Sequence, residues 1–536
     1  MVQSVLTMAT AISSPDELLQ VLLKKRGINT KSKSDQFFNP ELKDYQSELL
    51  LPGIKTAKSR ILKAIENKET IFIYGDYDVD GLTATAIIYQ GLVSLGVKVL
   101  PRIPHREKEG YGLSNFGLDL AKDKGATLLI TVDNGIVAVK QSLYAKKLGI
   151  DLIITDHHIP GNEKPEAVAI VHSTTFCGAG VAWCLIRELV SPELADKLLA
   201  FVAMGTICDL MLLVGVNRWL VKEGIKQLRK TDNIGILSLA SECGLKINEL
   251  SAFHISHILG PRLNAAGRIE SAMDALRLLC TKDPQKAKKL VQSLCLINDQ
   301  KKQLTLDAIF QAKELIGSDK LDLSHKKVLV LHSSKWIPGI IGLIAGRICD
   351  EYKVPAVVIS EGEVESKGSA RSFNGLDIVA TIRKCSDLLI DVGGHPKAAG
   401  FTLETKNISQ FKEKLENLIS KMDRQKGDTD LAEAWVDVKK LSVRWLEVIE
   451  KLEPFGVGNP KPILGSSIVK ISDMRLVGEG KHLKLKLDGV GAIAFSMGNR
   501  KPLLKDGQLV SALFSLEIDT FNGANQLQLK VVGINN

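Results

Sequence analysis

Residues 71–81 have the sequence IFIYGDYDVDG. The apolar residues 71–74 predict a buried strand, and the mainly apolar stretch 82–95 predicts a helix that starts directly after the final glycine. The aspartates between them therefore stand at the carboxyl end of a strand, which is where open α/β sheets bind their ligands. This order of strand, acidic turn and helix predicts an α/β domain with its functional site at that edge.

The acidic turn contains three carboxylates at alternate positions, Asp76, Asp78 and Asp80. Two unit charges about 4 Å apart repel each other by about 4 kcal/mol at an effective dielectric constant of ~20, so such a cluster is costly without a cation. A solvated turn is the simplest alternative, because Asp and Gly are common turn formers. A calcium loop of the EF-hand type is disfavoured, because Ile87 occupies the position of its terminal glutamate.

Strand and helix patterns continue to alternate beyond this turn. Short apolar runs predict further strands at 97–100, 127–132, 151–155 and 167–171. The segments between them, such as 136–148, have an amphipathic helical pattern. This alternation predicts a parallel sheet with crossover helices.

Acidic and imidazole side chains follow two of these predicted strands. Asp133 ends one of them, and Asp156, His157 and His158 end the next, so all should lie on the same sheet edge as the acidic turn. Asp209 is ambiguous alone, because it could simply end a helix. Carboxylate and imidazole ligands without a thiolate suit manganese or magnesium better than structural zinc. Two such cations would activate water and stabilise both oxygens of a phosphoryl displacement, so the predicted reaction is phosphoester hydrolysis.

The rest of the chain predicts a helical region, a second α/β unit and a barrel. The charged stretch 283–316 contains few helix breakers and predicts one long connecting helix. Five alternating runs predict a small antiparallel barrel, at 464–474, 481–488, 491–496, 508–518 and 526–534. The predicted domains are 1–60, an N-terminal extension; 61–215, the first α/β domain; 216–322, a helical connector; 323–423, the second α/β domain; and 424–536, the barrel.

The composition is that of a globular protein with a modest basic excess. The 536 residues include 70 Lys and Arg against 61 Asp and Glu, a net charge of +9 that permits a polyanionic partner without identifying one. The 8 cysteines are scattered without zinc-site spacing, which favours reduced thiols. The first residues lack the pattern of a secretory signal, and no stretch has about 18 uninterrupted apolar residues, so we expect a cytoplasmic protein without a membrane segment.

The order of the motifs resembles the DHH superfamily of phosphoesterases. DxDxDG, VDNG, DHH and GTxxD occur in that order, at 76–81, 132–135, 156–158 and 205–209. Further segments resemble the RecJ-type exonucleases within it, with their DHHA1 nucleic-acid-binding domain and OB-fold: 177–182, 261–268, 336–342, 367–372, 393–400 and 454–460. The chain departs from this pattern at Ile337 and His172, where a histidine and an asparagine are more familiar.

This resemblance implies a single-stranded-DNA exonuclease of 5′ to 3′ direction that releases 5′-mononucleotides with two divalent cations, manganese foremost and magnesium as the alternative. The implied metal ligands are Asp78, Asp80, Asp133, His157 and Asp209, with Asp133 bridging. Asp76 is expected in an outer or substrate-facing position. Asp156 would orient a histidine, and His158 would contact a phosphate or protonate the leaving oxygen.

The resemblance also implies contacts to the nucleic acid. The candidates for gripping phosphates are Arg106, Asn264, Arg268, Ser369, Arg371 and His395, although any single arginine could instead form a surface ion pair. Gly393 and Gly394 would allow the backbone to approach the strand closely. In the barrel, basic charge would come from Lys481, His482, Lys484 and Lys486.

Two other functions remain as alternatives. A small-substrate DHH phosphodiesterase, acting on oligoribonucleotides or cyclic dinucleotides, would normally lack the barrel and the helical connector. A non-catalytic replication factor that binds single-stranded DNA would be expected to have lost its ligands, whereas all of them are present here. The expected partners are single-stranded DNA and, by resemblance, a single-strand-binding protein and a helicase, with the chain acting as a monomer.

Overall fold

The computed structural model describes residues 11–105, 109–110, 112–269, 271–318, 327–422, 432–520 and 525–535, and of residues 268, 269 and 318 the backbone alone. None of the helices in these ranges is long and apolar enough to cross a membrane. The described residues begin with the helices α1 (Pro15–Lys25), α2 (Lys31–Phe38), α3 (Gln46–Leu49) and α4 (Ile54–Glu66). Ser14 and Thr30 cap α1 and α2 by accepting hydrogen bonds from backbone N–H groups of their first turns.

A parallel sheet forms the first α/β domain. Its strands are β1 (Thr70–Tyr74), β2 (Lys98–Arg102), β3 (Ala126–Val132), β4 (Asp151–Asp156) and β5 (Ala169–His172), in the spatial order β2-β1-β3-β4-β5. All neighbours pair in parallel, which confirms the predicted sheet. The strand order reverses between β1 and β3, and this is the point at which open α/β sheets bind ligands.

Helices cover this sheet and continue into the connector. Those of the first domain are α5 (Val79–Ser94), α6 (Asn115–Asp123), α7 (Val139–Lys147), α8 (Gly178–Ile186) and α9 (Pro192–Cys208). The connector contains α10 (Gly215–Leu228), α11 (Ile234–Glu242), α12 (Ala252–His254), α13 (Gly260–Ile269), α14 (Met273–Cys280) and α15 (Pro284–Ser318). The 35 residues of α15 confirm the predicted long helix. The sheet, α5 and the connector share one hydrophobic core, so the connector is packed firmly onto the first domain.

The second α/β domain contains a mixed sheet. Its strands are β6 (Leu329–Ser333), β7 (Ala356–Ser360), β8 (Glu365–Arg371), β9 (Asp391–His395) and β10 (Ala398–Glu404), in the order β6-β7-β8-β10-β9. Only β6 and β7 pair in parallel among these described strands, and the other neighbours are antiparallel. The helices of this domain are α16 (Ile341–Tyr352), α17 (Ile378–Arg383) and α18 (Ile408–Ser420).

The C-terminal strands close into a barrel. They are β11 (Ala434–Trp435), β12 (Leu464–Val477), β13 (His482–Leu487), β14 (Val490–Ala494), β15 (Leu509–Asp519) and β16 (Gln526–Asn535), and α19 (Val443–Glu450) precedes β12. The long strand β12 pairs with both β13 and β15, and β14 and β16 complete the ring, so the predicted barrel is confirmed. Its ring is not wholly antiparallel as predicted, because β14 and β16 pair in parallel.

The N-terminal residues do not form a unit of their own. Helix α1 buries Leu18 and Leu22 in the core of the barrel, and the Arg26 guanidinium lies 2.6 Å from the Glu433 carboxylate. Ile54, at the start of α4, instead belongs to the core of the first domain. The N-terminal segment therefore links the barrel to the first domain, and the sequence pattern did not predict this link.

Candidate metal centre

The carboxyl ends of neighbouring parallel strands bring the acidic motifs together. Asp76 and Asp133 follow β1 and β3 on the two sides of the switch point, and Asp156 ends β4. All three side chains are buried. Because parallel strands end at one edge of a sheet, residues far apart in the sequence converge there.

The aspartates of the first motif are held by backbone amides. Asp78 caps α5, and its Oδ1 accepts a hydrogen bond of 3.1 Å from Gly81 N–H. The Asp80 carboxylate accepts hydrogen bonds from Gly178 N–H at 2.6 Å and Ala179 N–H at 2.8 Å. These two donors lie in the first turn of α8, where the helix dipole also stabilises negative charge. The orientation of Asp80 therefore depends on a helix that follows it by about a hundred residues in the sequence.

Asp133 lies against the same helix terminus. Its backbone has a φ of 63°, in the left-handed region that Asp tolerates better than most residues. A Cβ added to Gly178 would lie 2.5 Å from Asp133 Oδ1, closer than any side chain allows. Glycine at position 178 is therefore required for the close approach of Asp133 to α8.

The His157 imidazole lies among three carboxylates. Its Nε2 is 3.1 Å from Asp133 Oδ1, 3.7 Å from Asp209 Oδ2 and 3.8 Å from Asp80 Oδ2. Burial lowers the pKa of His157 despite these neighbours. A lowered pKa favours the neutral imidazole, which is the form that coordinates metals.

Within the described residues, three sets of ligand atoms each lie within 4.8 Å of one another. The sets are Asp76, Asp78 and Asp133; Asp80, His157 and Asp209; and Asp133, His157 and His158. Asp76 thus lies within 4.8 Å of ligand atoms of Asp78 and Asp133, whereas the resemblance implied an outer or substrate-facing position. Asp133 and His157 each belong to two of the sets, so these two residues link the cluster.

Without a cation, the carboxylates of this cluster repel one another. Burial and the neighbouring carboxylates Asp80, Asp78, Asp76 and Asp156 raise the pKa of Asp133 well above its ordinary value. Burial and three of the same neighbours, Asp80, Asp78 and Asp76, also raise the pKa of Asp209. A divalent cation removes both penalties, and oxygen ligands with one or two imidazoles are the donors that Mn²⁺ and Mg²⁺ prefer. The residues present therefore fit divalent metals.

Comparisons with known proteins agree with this geometry. Family models match at residues 70–206 (DHH family, N-terminal domain), 325–422 (DHHA1 domain) and 432–533 (RecJ OB domain). The single-stranded-DNA-specific exonuclease RecJ of Salmonella typhimurium is 30% identical over 96% of this chain and 94% of its own length. The chain belongs to the RecJ family. The RecJ of Bacillus subtilis is 33% identical over 96% of this chain and 67% of its own length.

Solved RecJ structures share the fold and contain the expected metals. RecJ from Thermus thermophilus in complex with Mn²⁺ superimposes with a TM-score of 0.83 at 28% identity, covering 97% of this chain and 76% of that one. Its complex with Mg²⁺ gives a TM-score of 0.73 at 26% identity and covers 96% and 74%. The similarity therefore includes the barrel as well as the two α/β domains.

His158, the second histidine of the RecJ-family DHH motif, is held by Asp156. Asp156 Oδ1 lies 2.8 Å from His158 Nδ1, and its carboxylate also accepts hydrogen bonds from the N–H groups of Ile136, His157 and His158. Burial acts to lower the pKa of His158, but the hydrogen bond and charge of Asp156 outweigh it, so this pKa lies above its ordinary value. His172 Nε2 lies 2.7 Å from His158 O, so this departure from the family pattern supports the same loop.

The phosphate-contact candidates divide into three groups. Arg106 and the side chain of Arg268 lie outside the described residues. Asn264 holds residues 76–81, the metal loop, because its Oδ1 accepts a hydrogen bond of 2.9 Å from Val79 N–H. Arg371 and Ser369 lie together in the second domain, with Arg371 Nη1 3.4 Å from Ser369 Oγ, while His395 is exposed on β9. Asn264 is therefore placed to position the metal loop in addition to any contact with a phosphate.

The basic residues predicted for the barrel are largely neutralised. Lys481 lies 2.9 Å from Glu479, Lys484 lies 2.9 Å from Asp519, and Lys486 lies 2.6 Å from Asp473. His482 accepts a hydrogen bond from Ser496 N–H. The alternating pattern of lysines did not predict these ion pairs, because the carboxylates come from neighbouring turns and strands. Three of the four predicted cations are thus ion-paired.

Proposed function

We propose that this RecJ-family chain is a metal-dependent exonuclease that hydrolyses phosphodiester bonds of single-stranded DNA. The observation that supports it most directly is the convergence of five carboxylates and two imidazoles at the β1/β3 switch point. The small-substrate alternative does not account for the barrel, and the non-catalytic alternative does not account for the intact ligand set. The proposed domain boundaries remain those given by the sequence.

The proposed ligands are those at the sheet edge: Asp78, Asp80, Asp133, His157 and Asp209, with Asp76 close enough to join them. Two divalent cations, when bound, activate water and stabilise the attacking and leaving oxygens of the displacement. The protein itself holds the ligands in place through backbone amides at α8 and through Asn264 at the metal loop. These contacts come from outside the motifs and keep the carboxylates close despite their repulsion.

His158 is the proposed proton donor to the leaving oxygen. The hydrogen bond between its Nδ1 and Asp156 fixes the ring and leaves Nε2 to carry a proton. Asp156 is buried and is itself held by backbone N–H groups, so it acts as a positioning residue.

A cavity between the first domain and the barrel offers a route for the single strand. It has a volume of about 820 Å³ and includes Leu210 and Met211, which directly follow Asp209. Its lining contains five basic residues, Lys222, Lys226, Arg229, Lys461 and Lys530, and two carboxylates, Glu453 and Glu517. The stacked rings of Phe253 and His257, with centroids 4.5 Å apart, also line it. Cations beside aromatic rings suit a strand whose phosphates and bases are both contacted.

We propose 5′ to 3′ polarity and release of 5′-mononucleotides, as the resemblance implies. Arg371 is the proposed contact to a terminal phosphate, because its guanidinium lies beside Ser369 and Gly342. A single chain supplies every element described, which favours a monomer. Cooperation with a single-strand-binding protein and a helicase is part of the same proposal.

Arg371→Lys should weaken use of 5′-phosphorylated substrates. A lysine keeps the charge but loses the planar fork that binds phosphate through two hydrogen bonds, so we expect kcat/KM to fall by about tenfold or more. Steady-state digestion of 5′-phosphorylated and 5′-hydroxyl oligonucleotides measures this difference. Arg347→Lys is the matched control, because Arg347 lies on α16 of the same domain and pairs with Glu351 on the surface. Equal losses on both substrates would contradict a role in binding the terminal phosphate.

Digestion of oligonucleotides labelled at either end tests the proposed function. Single-stranded and blunt duplex substrates are compared with Mn²⁺, with Mg²⁺ and with a chelator. We expect metal-dependent release of mononucleotides from the 5′ end of single strands alone. Cleavage confined to dinucleotides would favour the small-substrate phosphodiesterase, and absence of hydrolysis with either metal would favour a binding protein.

A further inference from the structure

Helix α9 ends at Cys208, and its cap residue Asp209 begins a strained turn. Leu210 N–H donates to Ile207 O and Met211 N–H donates to Thr206 O, which is the hydrogen-bond pattern of a Schellman motif. The residue after the cap in this motif adopts left-handed backbone angles and is usually glycine, but here it is Leu210 with a φ of 59°. A non-glycine residue is strained in this region, so surrounding contacts must maintain the turn.

The side chain of Leu210 does not supply those contacts, because it is 67% exposed. The contacts come instead from the barrel domain, through the turn formed by residues 455–459. Leu213 N–H donates a hydrogen bond of 2.7 Å to Val457 O across the two domains. The buried Leu213 side chain also packs against Gly456, where an added Cβ would lie 2.6 Å from Leu213 Cδ1.

The same turn contacts the residues on both sides of Leu213. A Cβ added to Gly458 would lie 3.2 Å from Leu212 Cδ2 and 3.4 Å from Val214 Cγ1. The turn itself is fixed by mutual backbone hydrogen bonds between Gly456 and Asn459. Asn459 is buried, and its amide group donates to Leu452 O and Pro454 O. A rigid turn of the barrel domain thus holds the segment that immediately follows Asp209.

The geometry points to the turn 455–459 as a positioning element of the metal centre. By contacting residues 212–214, this turn maintains the strained end of α9. It thereby holds the Asp209 carboxylate in its ligand position. This inference rests on the proposed role of Asp209 as a metal ligand. Asp209 needs such support more than its neighbours do, because its side chain is 27% exposed whereas those of Asp80 and Asp133 are 1% and 3% exposed. The barrel would then contribute to metal binding in addition to contacting DNA.

Binding of Mn²⁺ to the full chain without DNA tests this role, by calorimetry and by electron paramagnetic resonance. Gly458→Ala strains the turn, because Gly458 has a φ of 80°. Gly489→Ala is the matched control, because Gly489 has a φ of 86° in another turn of the same barrel and has no atom within 4 Å of an added Cβ. We expect Gly458→Ala to weaken Mn²⁺ binding by about tenfold and Gly489→Ala to leave it unchanged.

Relief of the strain provides a rescue. Glycine at position 210 adopts left-handed backbone angles without strain, so the end of α9 should no longer need the turn 455–459. The double variant Leu210→Gly with Gly458→Ala should therefore regain most of the Mn²⁺ affinity.

If Gly458→Ala fails to fold, Gly458→Asn and its control Gly489→Asn replace the two alanine variants. Asn tolerates positive φ and still adds a side chain against Leu212. Wild-type Mn²⁺ affinity in the Gly458 variant, or equal losses in both glycine variants, would overturn the positioning role. Asp209→Ala distinguishes failure of the positioning role from failure of the proposed function. Unchanged Mn²⁺ binding by Asp209→Ala would show that Asp209 is not a metal ligand.

Discussion

Asp133→Asn is expected to abolish metal-dependent hydrolysis of single-stranded DNA while making the metal-free protein more stable. Asp133 contributes to two of the ligand sets, so loss of its charge should reduce kcat by about 1000-fold or more. In chelator the same change removes a buried carboxyl group whose charged form is opposed by burial and by the surrounding carboxylates. Asn also tolerates the φ of 63° at this position, so the backbone is not strained. Melting temperature in chelator and digestion rate in Mn²⁺ measure the two effects.

Asp196→Asn is the control for this prediction. Asp196 is an exposed carboxylate on α9, the helix whose cap residue is Asp209. Its replacement should change neither the digestion rate nor the melting temperature in chelator. A digestion rate for Asp133→Asn near that of the wild type would remove the basis for catalysis at this centre.

Arg218→Ala is expected to detach the barrel from the first domain. The Arg218 guanidinium donates hydrogen bonds to Phe37 O, Glu453 O and Pro454 O, and it lies 3.7 Å from the centroid of the Phe37 ring. Burial lowers the pKa of Arg218 to about 10, which still leaves it charged at neutral pH. Hydrogen bonds to charged groups contribute about 1.5–3 kcal/mol each, so we expect a loss of at least about 3 kcal/mol and an early unfolding transition of the barrel.

Differential scanning calorimetry measures this transition, and two variants serve as controls. Arg218→Lys keeps the charge but not the fork that reaches three carbonyl oxygens, so it should lose most of the same stability. Arg187→Ala removes an arginine that also lies over an aromatic ring, 4.8 Å from the centroid of the Trp183 ring, and it should have a small effect. Similar thermograms for Arg218→Ala and Arg187→Ala would show that Arg218 does not fasten the barrel.

The sequence pattern predicted the chemistry of the metal centre because that chemistry follows local rules. Apolar strands that end in Asp76, Asp133 and Asp156 must bring these residues to one edge once the sheet is parallel. The donor types then indicate the metals. Asp209 is the exception, because a helix terminus alone does not show what it faces, and the resemblance to a family was needed to include it.

The tertiary structure was needed for the contacts that hold this centre in place. The amides of Gly178 and Ala179 that bind Asp80, and the Asn264 side chain that binds the metal loop, lie far from their partners in the sequence. Small residues before a helix are compatible with many roles, so the pattern of residues 177–182 could not specify this one. The pairing of the barrel lysines with carboxylates was likewise invisible to a pattern of alternating charges.

The sequence by itself determined the α/β class, the sheet edge that carries the site, the metal-binding chemistry, the long connecting helix and the terminal barrel. These features depend on periodicity within a strand or helix and on residue types at its end, which are local properties. Only the tertiary structure decided that the N-terminal helix packs on the barrel, that Arg218 fastens the barrel to the first domain and that Val457 holds the segment after Asp209. Such contacts join segments hundreds of residues apart, and their energy depends on the relative position of complete domains.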